Sequence, residues 1–154
     1  ALGSSETNVT INVYRRYNTI TAWEAACPAN LVTDSKVWKG VCYREGAFDE
    51  KPEIDGTTTD KTHFIWLTVA QNQRHRGIAG TGAAVKNSTG GFYALINVYD
   101  PNVRVEWLEL YGYGGATNLY GVRTNNANGT RSSLTICWFM TSISCMTFPA
   151  APLL

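Results

Sequence analysis

The side chains with the clearest chemistry in this sequence are cations in two short stretches. Arg74, His75 and Arg76 lie in "QNQRHRGIAGTGAAV", and Arg15 and Arg16 lie in "VYRRYN". Guanidinium groups bind phosphate and carboxylate oxygens through paired hydrogen bonds, and neighbouring tyrosines offer rings on which bases stack. These five residues are therefore predicted to contact either RNA or a neighbouring subunit. The intersubunit contact is favoured, because so few cations in a nearly neutral chain neutralise little nucleic acid.

The glycines of the first stretch do not complete a nucleotide-binding motif. Gly80-Thr81-Gly82 is followed by Ala-Ala-Val, without the third glycine of the dinucleotide fingerprint. The Gly-Lys-Ser/Thr sequence of a P-loop is also missing. The stretch is instead predicted to form a long polar loop that can reach a neighbouring subunit or an enclosed RNA.

Carboxylates and histidines are the next candidates for chemistry, since paired carboxylates hydrolyse glycosides. Glu106 and Glu109 are three residues apart in "VRVEWLELYGY", so on one strand their side chains point to opposite faces. His63 and His75 are the two histidines, and no zinc-binding Cys/His spacing occurs. The sequence predicts a protein that is not an enzyme and that uses no metal or other cofactor.

Length and composition predict one domain, spanning residues 1–154. The formal net charge is +1, and 16% of the residues are charged, so no overall positive field attracts nucleic acid. No apolar run approaches the roughly 20 residues of a membrane-spanning helix. We therefore predict no membrane span.

Four cysteines leave the redox compartment open. They can form two disulfides, the first with the second and the third with the fourth, or remain buried free thiols. The four residues are Cys27, Cys42, Cys137 and Cys145.

Apolar and polar residues alternate along much of the chain, with many β-branched and aromatic residues. A period of two is typical of strands with one buried face. Strands are predicted at residues 9–14, 19–23, 36–43, 63–70, 92–98, 104–110, 118–122, 133–139 and 143–148. Long loops are predicted at residues 45–61 and 71–91, and a helical turn is allowed at residues 23–29, where Pro28 would end it.

The predicted fold is all-β, a two-sheet antiparallel sandwich of eight or nine strands. A jelly roll is the leading topology and an immunoglobulin-like sandwich is the alternative. Short turn sequences such as "DPN" at residues 100–102 are typical of connections between adjacent strands. The sequence shows no internal repeat.

The C-terminal segment "SSLTICWFMTSISCMTFPAAPLL" is strongly apolar. A monomer has difficulty hiding such a segment, and large exposed apolar patches mark interaction sites. The end of the chain is therefore predicted to lie against another subunit. The residues of this predicted intersubunit tail are Phe148, Pro149, Pro152, Leu153 and Leu154.

In size, strand number and apolar closing strand, the chain resembles the coat proteins of small icosahedral RNA viruses, including satellite viruses, and the protruding domains of larger capsids. The resemblance implies a structural, self-assembling virion subunit whose partners are copies of itself and viral RNA. Coat proteins of this kind carry a basic N-terminal arm. The segment "ALGSSETNVT" is not basic, so the chain departs from the family there.

A secreted, lectin-like carbohydrate-binding module is the alternative function. Tyr111, Tyr113 and Tyr120 flank the glycine-rich turn in "YGYGGATNLYG", where their rings can stack on sugars. Disulfides and glycans at the sequons of Asn8 or Asn128 would favour this extracellular protein. Free thiols and particle formation would favour the coat protein.

Overall fold

The computed structural model of the chain describes residues 15–89, 94–113 and 120–125. These residues form a short helix followed by nine short strands. The helix α1 spans Ile20–Ala25, and the strands are β1 (Trp38–Cys42), β2 (Ala47–Asp49), β3 (Glu53–Ile54), β4 (Ile65–Val69), β5 (Ala84–Asn87), β6 (Ala94–Val98), β7 (Val103–Val105), β8 (Glu109–Tyr113) and β9 (Tyr120–Thr124).

The strands form three parallel sheets, and each sheet takes every third strand of the chain. The strand orders are β1-β4-β7, β2-β5-β8 and β3-β6-β9, and every pairing is parallel. Consecutive strands therefore belong to different sheets, so the chain winds around one axis and adds a strand to each sheet per coil. This arrangement is a parallel β-helix, of which the described residues form three coils.

The predicted antiparallel two-sheet jelly roll is wrong, because these sheets contain parallel pairs throughout. Side chains alternate between two faces in both kinds of pairing, so alternation does not reveal the direction of the neighbouring strand. The turn at residues 100–102 carries the chain from β6 to β7 in a different sheet. The long crossover that parallel pairing requires is the remainder of each coil.

The coils differ in length, which hides the structural repeat from the sequence. Trp38 of β1 pairs with Ile65 of β4, and Ile65 pairs with Val103 of β7. The second coil is longer because residues 70–83 form an extended corner between β4 and β5. Coils of unequal length leave no fixed period for a sequence search to detect.

Some predicted strands coincide with observed strands and others do not. Residues 36–43, 63–70, 92–98 and 118–122 overlap β1, β4, β6 and β9. The predicted strand at residues 104–110 is divided between β7 and β8, and the predicted loops contain β2, β3 and β5. The predicted strands at residues 9–14, 133–139 and 143–148 lie outside the described residues.

The hydrophobic core lies inside the coils, where equivalent positions of neighbouring coils stack on each other. Leu67 of β4 pairs with Val105 of β7, and Ile54 of β3 pairs with Val98 of β6. All four side chains are buried. Burial of one such aliphatic side chain contributes about 1.5–3 kcal/mol, so this stacking accounts for much of the attraction between coils.

Helix α1 packs against the first coil, where residues 19–23 were predicted to be a strand. Trp23 covers Gly40 so closely that a Cβ atom at Gly40 would lie 2.6 Å from the indole. The rings of Trp23 and Trp38 stack with centroids 6.4 Å apart. The strand prediction failed because α1 is held by distant partners, including the carboxylate of Glu50, which accepts hydrogen bonds from the Ile20 and Thr21 N–H groups.

The two described cysteines are free thiols. Cys42 is buried in the core, and Cys27 is half-buried beside Thr57. Burial raises the pKa of the Cys42 thiol to about 12, so this thiol is protonated at neutral pH. Cys137 and Cys145 lie outside the described residues.

Candidate functional site

A row of two cations and one aromatic ring crosses the outer face of the first sheet. Lys39, Trp66 and Arg104 are register neighbours on β1, β4 and β7. Lys39 Nζ lies 4.0 Å from the centroid of the Trp66 ring, and Arg104 Cζ lies 5.5 Å from it. Because β1 and β7 lie on opposite sides of β4, the two cations flank the ring and restrict access to its faces.

Glu106, next along the same face, is already engaged by its neighbours. Its carboxylate accepts a hydrogen bond from Trp66 Nε1 at 3.1 Å, and Arg104 Nε lies 3.4 Å from its other oxygen. Lys39 has no carboxylate partner among the ion pairs of the described residues. The outer face therefore keeps a net positive charge beside Trp66.

Residues 70–83, here called the corner loop, are tied to the third coil. The His75 N–H donates to the Trp107 carbonyl at 3.1 Å, and the Gly80 N–H lies 2.9 Å from both carboxylate oxygens of Glu109. His75 Nδ1 is 3.7 Å from Glu109, and the two side chains are 3% and 8% exposed. The corner loop is thus fixed against β8 by a buried acidic group.

A cleft of about 470 Å³ opens between the corner loop and the turn that follows β1. We call it the arginine pocket. Its lining side chains are all polar, include two guanidinium groups and include no carboxylate. The lining residues are Arg44, Asn72, Gln73, Arg76 and Thr81.

The arginine pocket has a defined shape because its walls bond to each other. The Arg44 backbone N–H donates to Gln73 Oε1, and Arg44 Nη1 donates to the Gly80 carbonyl at 3.3 Å. The Thr81 hydroxyl donates to the Ile78 carbonyl and accepts from the Arg76 N–H. No ion pair involves Arg44 or Arg76 within the described part of the chain, so both keep their charge for a ligand.

Gly80 connects the buried carboxylate to the pocket through the two peptide groups on either side of its Cα atom. Its N–H donates to Glu109, and its carbonyl accepts from Arg44. Gly80 has φ +76, a left-handed conformation that glycine adopts without the steric cost of a Cβ atom. Gly80 therefore allows the backbone of this loop to bend and is not part of a nucleotide-binding motif.

The structure separates the cationic residues predicted from sequence into different environments. Arg76 lines the arginine pocket, Arg74 stacks over Trp107 at 4.8 Å, and His75 is buried beneath the corner loop. Burial removes the His75 side chain from the surface at which RNA or a subunit would bind.

Arg15 and Arg16 line a second groove, of about 640 Å³, along β1. Arg15 pairs with Glu45, and Arg16 lies over the ring of Tyr17. Glu45 directly follows Arg44 of the arginine pocket, so the groove and the pocket are neighbours across one turn. The structure thus brings the two predicted cationic stretches to the same side of the molecule.

Sequence reasoning missed Lys39, Arg44 and Arg104 as candidate site residues. Each is a single cation on a different strand or turn, so no local motif marks it. The register of the parallel sheet places Lys39 and Arg104 on either side of one ring. Only knowledge of that register could have grouped them.

Glu106 and Glu109 were predicted to point to opposite faces of one strand, but they do not lie on one strand. Residues 106–108 form a corner between β7 and β8, with Trp107 at φ +65. Strand alternation therefore does not apply across them, and Leu108 is the inward, buried residue between them. Even so, the two carboxylates have separate partners and do not share a hydrogen-bond network.

The remaining predicted site residues fall in several places. Tyr111 and Tyr120 are exposed but belong to β8 and β9, which are in different sheets. The side chain of Tyr113 and the whole predicted tail, Phe148, Pro149, Pro152, Leu153 and Leu154, lie outside the described residues. The tail as an intersubunit contact stays a prediction.

The carboxylates of Glu24, Asp55 and Asp100 lie close to one another near the end of β3. Burial raises the pKa of Glu24 and of Asp100. The Asp55 N–H donates to Glu24 at 3.2 Å, and the Thr57 N–H donates to Asp100 at 3.0 Å. Among the described residues, no group of three or more acidic, His or Cys side chains has a metal-binding arrangement.

Comparison with known proteins assigns no family to the chain. No family model, curated protein or solved structure matches it. Within the described ranges, no helix has both the length and the apolar character needed to cross a membrane. The geometry of the cationic residues is therefore the main guide to what the chain does.

Proposed function

We propose that this chain is a binding protein that recognises an acidic polysaccharide. Its binding surface, the cationic face, consists of Lys39, Arg44, Arg74, Arg76 and Arg104 on the first sheet and the corner beside it. The observation that supports this most strongly is the arginine pocket, where two guanidinium groups have no ion-pair partner among the described residues and no carboxylate lines the cleft. Such a surface attracts anions. We also propose that the protein is extracellular.

A polymer suits this surface better than a small anion does. Lys39 and Arg104 lie on strands two positions apart in the sheet, where neighbouring strands are about 4.8 Å apart. Arg44 lies beyond the end of β1, further along the same side. An extended chain bearing several negative groups can contact all of these cations at once, as extended ligands do on other solenoid surfaces.

A polysaccharide is favoured over nucleic acid because the aromatic rings beside the cations are already covered. Proteins that bind single-stranded nucleic acid combine a cationic groove with rings on which bases stack. Here the ring of Trp66 lies between two cations, and the ring of Trp107 lies under Arg74. Arginine binds carboxylate and sulfate groups without a stacking partner.

The test compares binding of the full chain to dextran sulfate, polygalacturonate, unsubstituted dextran and single-stranded RNA at one salt concentration. We expect both acidic polysaccharides to bind and unsubstituted dextran not to bind. Lys39→Ala should weaken polysaccharide binding on the order of 2- to 5-fold, the effect of an exposed charge pair. Lys61→Ala, which removes an exposed lysine in the connection between β3 and β4, outside the cationic face, is the matched control.

Tighter binding of RNA than of either acidic polysaccharide would refute this function. Equal binding of unsubstituted and acidic dextrans would also refute it, because charge would then play no part. An equal effect of Lys39→Ala and Lys61→Ala would show that binding follows net charge and not the cationic face.

Association of identical copies is a second proposal, supported by exposed apolar side chains on and beside β1. Val37, Val41 and Tyr43 are 40%, 41% and 46% exposed. The coat-protein hypothesis, with its virion location and viral RNA partner, stays a prediction, although the jelly roll expected of its shell is replaced by parallel sheets. We therefore propose that identical copies associate through the β1 surface, and this proposal does not depend on the architecture of a viral shell.

A further inference from the structure

We infer that the arginine pocket binds a sulfate ester carried by the polysaccharide. This inference rests on the proposed function and names the anionic group that the ligand must carry. A sulfate ester presents three free oxygens that accept hydrogen bonds, whereas a carboxylate presents two. The pocket has donors on two opposing walls, which is the arrangement that a three-oxygen group can use fully.

The donors come from separate segments of the chain. Arg44 enters from the turn after β1, and Arg76, Asn72 and Gln73 enter from the corner loop. Because Gln73 Oε1 accepts the Arg44 N–H, the two amide hydrogens of Gln73 remain for a ligand. Two guanidinium groups and two carboxamides therefore surround one cleft.

Glu109 acts on this site as a positioning residue. It fixes the Gly80 N–H, and the carbonyl of Gly80 in turn holds the Arg44 guanidinium. The Glu109 side chain is 8% exposed and is not among the residues that line the open cleft. A buried carboxylate thus orients a cation without sharing the pocket with the anion.

Gly77 and Gly80 provide a matched pair of variants. Both lie in the corner loop, with φ +80 and φ +76, and a Cβ atom at either would have open space around it. Gly77→Ala and Gly80→Ala therefore impose similar backbone strain. Gly80 bonds to both Glu109 and Arg44, and Gly77 bonds to neither of them, so only Gly80→Ala should disturb the orientation of the guanidinium.

The test titrates the full-length chain with inorganic sulfate, followed by nuclear magnetic resonance, and separately with dextran sulfate. We expect Gly80→Ala and Arg76→Ala each to weaken sulfate binding about tenfold, the effect of losing a charge-assisted hydrogen bond. Gly77→Ala should bind as the wild type does, although its melting temperature falls as much as that of Gly80→Ala. Arg76→Lys should restore only part of the affinity, because lysine keeps the charge but lacks the planar fork.

Two results would overturn the inference while the proposed function stands. In the first, dextran sulfate binds and Lys39→Ala weakens it, but Gly80→Ala and Arg76→Ala bind it normally. In the second, polygalacturonate depends on Arg76 as strongly as dextran sulfate does, so the pocket does not select sulfate. If neither acidic polysaccharide binds, the proposed function itself is wrong.

Discussion

At the scale of single residues, Glu24 shows how the fold changes the chemistry of an acid. Burial is the largest cause of its raised pKa, and the nearby carboxylates of Asp100 and Asp55 raise it further, whereas the hydrogen bond from the Asp55 N–H lowers it. A raised pKa means that the folded state binds this proton more tightly than the unfolded state does. The stabilisation is complete below the ordinary pKa of 4.5 and is lost as pH rises through the raised value.

Glu24→Gln should therefore gain thermal stability relative to the wild type as pH rises from about 4 to about 7. The glutamine keeps an oxygen for the Asp55 N–H but carries no charge. Melting temperatures of both proteins across this range measure the effect. Asp34→Asn, which removes an exposed carboxylate paired with Lys36, is the control and should show no such gain. Parallel pH profiles for Glu24→Gln and the wild type would contradict the expectation.

At the scale of elements, helix α1 depends on groups outside its own sequence. It has six residues, far fewer than the ~12–15 at which isolated helices become marginally stable. Thr19 caps it locally through a 3.0 Å hydrogen bond from the Ala22 N–H. Glu50 accepts from the Ile20 N–H at 2.7 Å and the Thr21 N–H at 2.9 Å.

Glu50→Ala is expected to lower the free energy of unfolding by about 1.5–3 kcal/mol, because it removes a charged acceptor from two helix donors. Thr19→Ala should cost about 1 kcal/mol, the usual value for an N-cap. Glu50→Gln, which retains one acceptor oxygen, should lie between Glu50→Ala and the wild type. Urea unfolding measures all three. A smaller loss for Glu50→Ala than for Thr19→Ala would show that Glu50 does not hold the helix.

The sequence predicts strands far better than it predicts how they pair. The alternation in residues 36–43 marks β1 because one face of that strand is buried. Residues 63–70 mark β4 through their aromatic and aliphatic content, since four of its five residues are buried. The short strands β2 and β3 have three and two residues, too few to show a period. Pairing direction depends on the path of the whole coil, which no local pattern encodes.

The candidate site was predictable only in part, for a related reason. Arg74 and Arg76 attract attention because only His75 separates them in a glycine-rich stretch. Arg44 completes the arginine pocket from the preceding coil, and its separation in sequence gives no signal. His75, the third member of the motif, is buried because Glu109 and Trp107 lie beneath the loop.

At the scale of the whole molecule, the exposed apolar side chains on and beside β1 bear on association. Val41→Lys adds a second charge to the outer face of β1, beside Lys39, and should weaken any self-association through Val37, Val41 and Tyr43. Ile78→Lys makes the same kind of change at a 65% exposed position in the corner loop and is the control. Sedimentation velocity from about 1 to 100 μM, a range that includes the micromolar affinities of weak complexes, measures the outcome. A wild-type chain that stays monomeric throughout would refute the assembly proposal.

The corner loop also bears on how this protein can diverge or be re-engineered. It leaves the coil after β4 and returns at β5, and its base is fixed where Gly82 contacts the His75 backbone so closely that an added Cβ atom would lie 2.8 Å away. Doubling the length of a flexible loop costs only about 0.6 kcal/mol. Mutations and insertions at residues 76–81 can thus alter the pocket while the stacked coils keep their sequence, so descendants of one scaffold could acquire different ligands by changing one short segment.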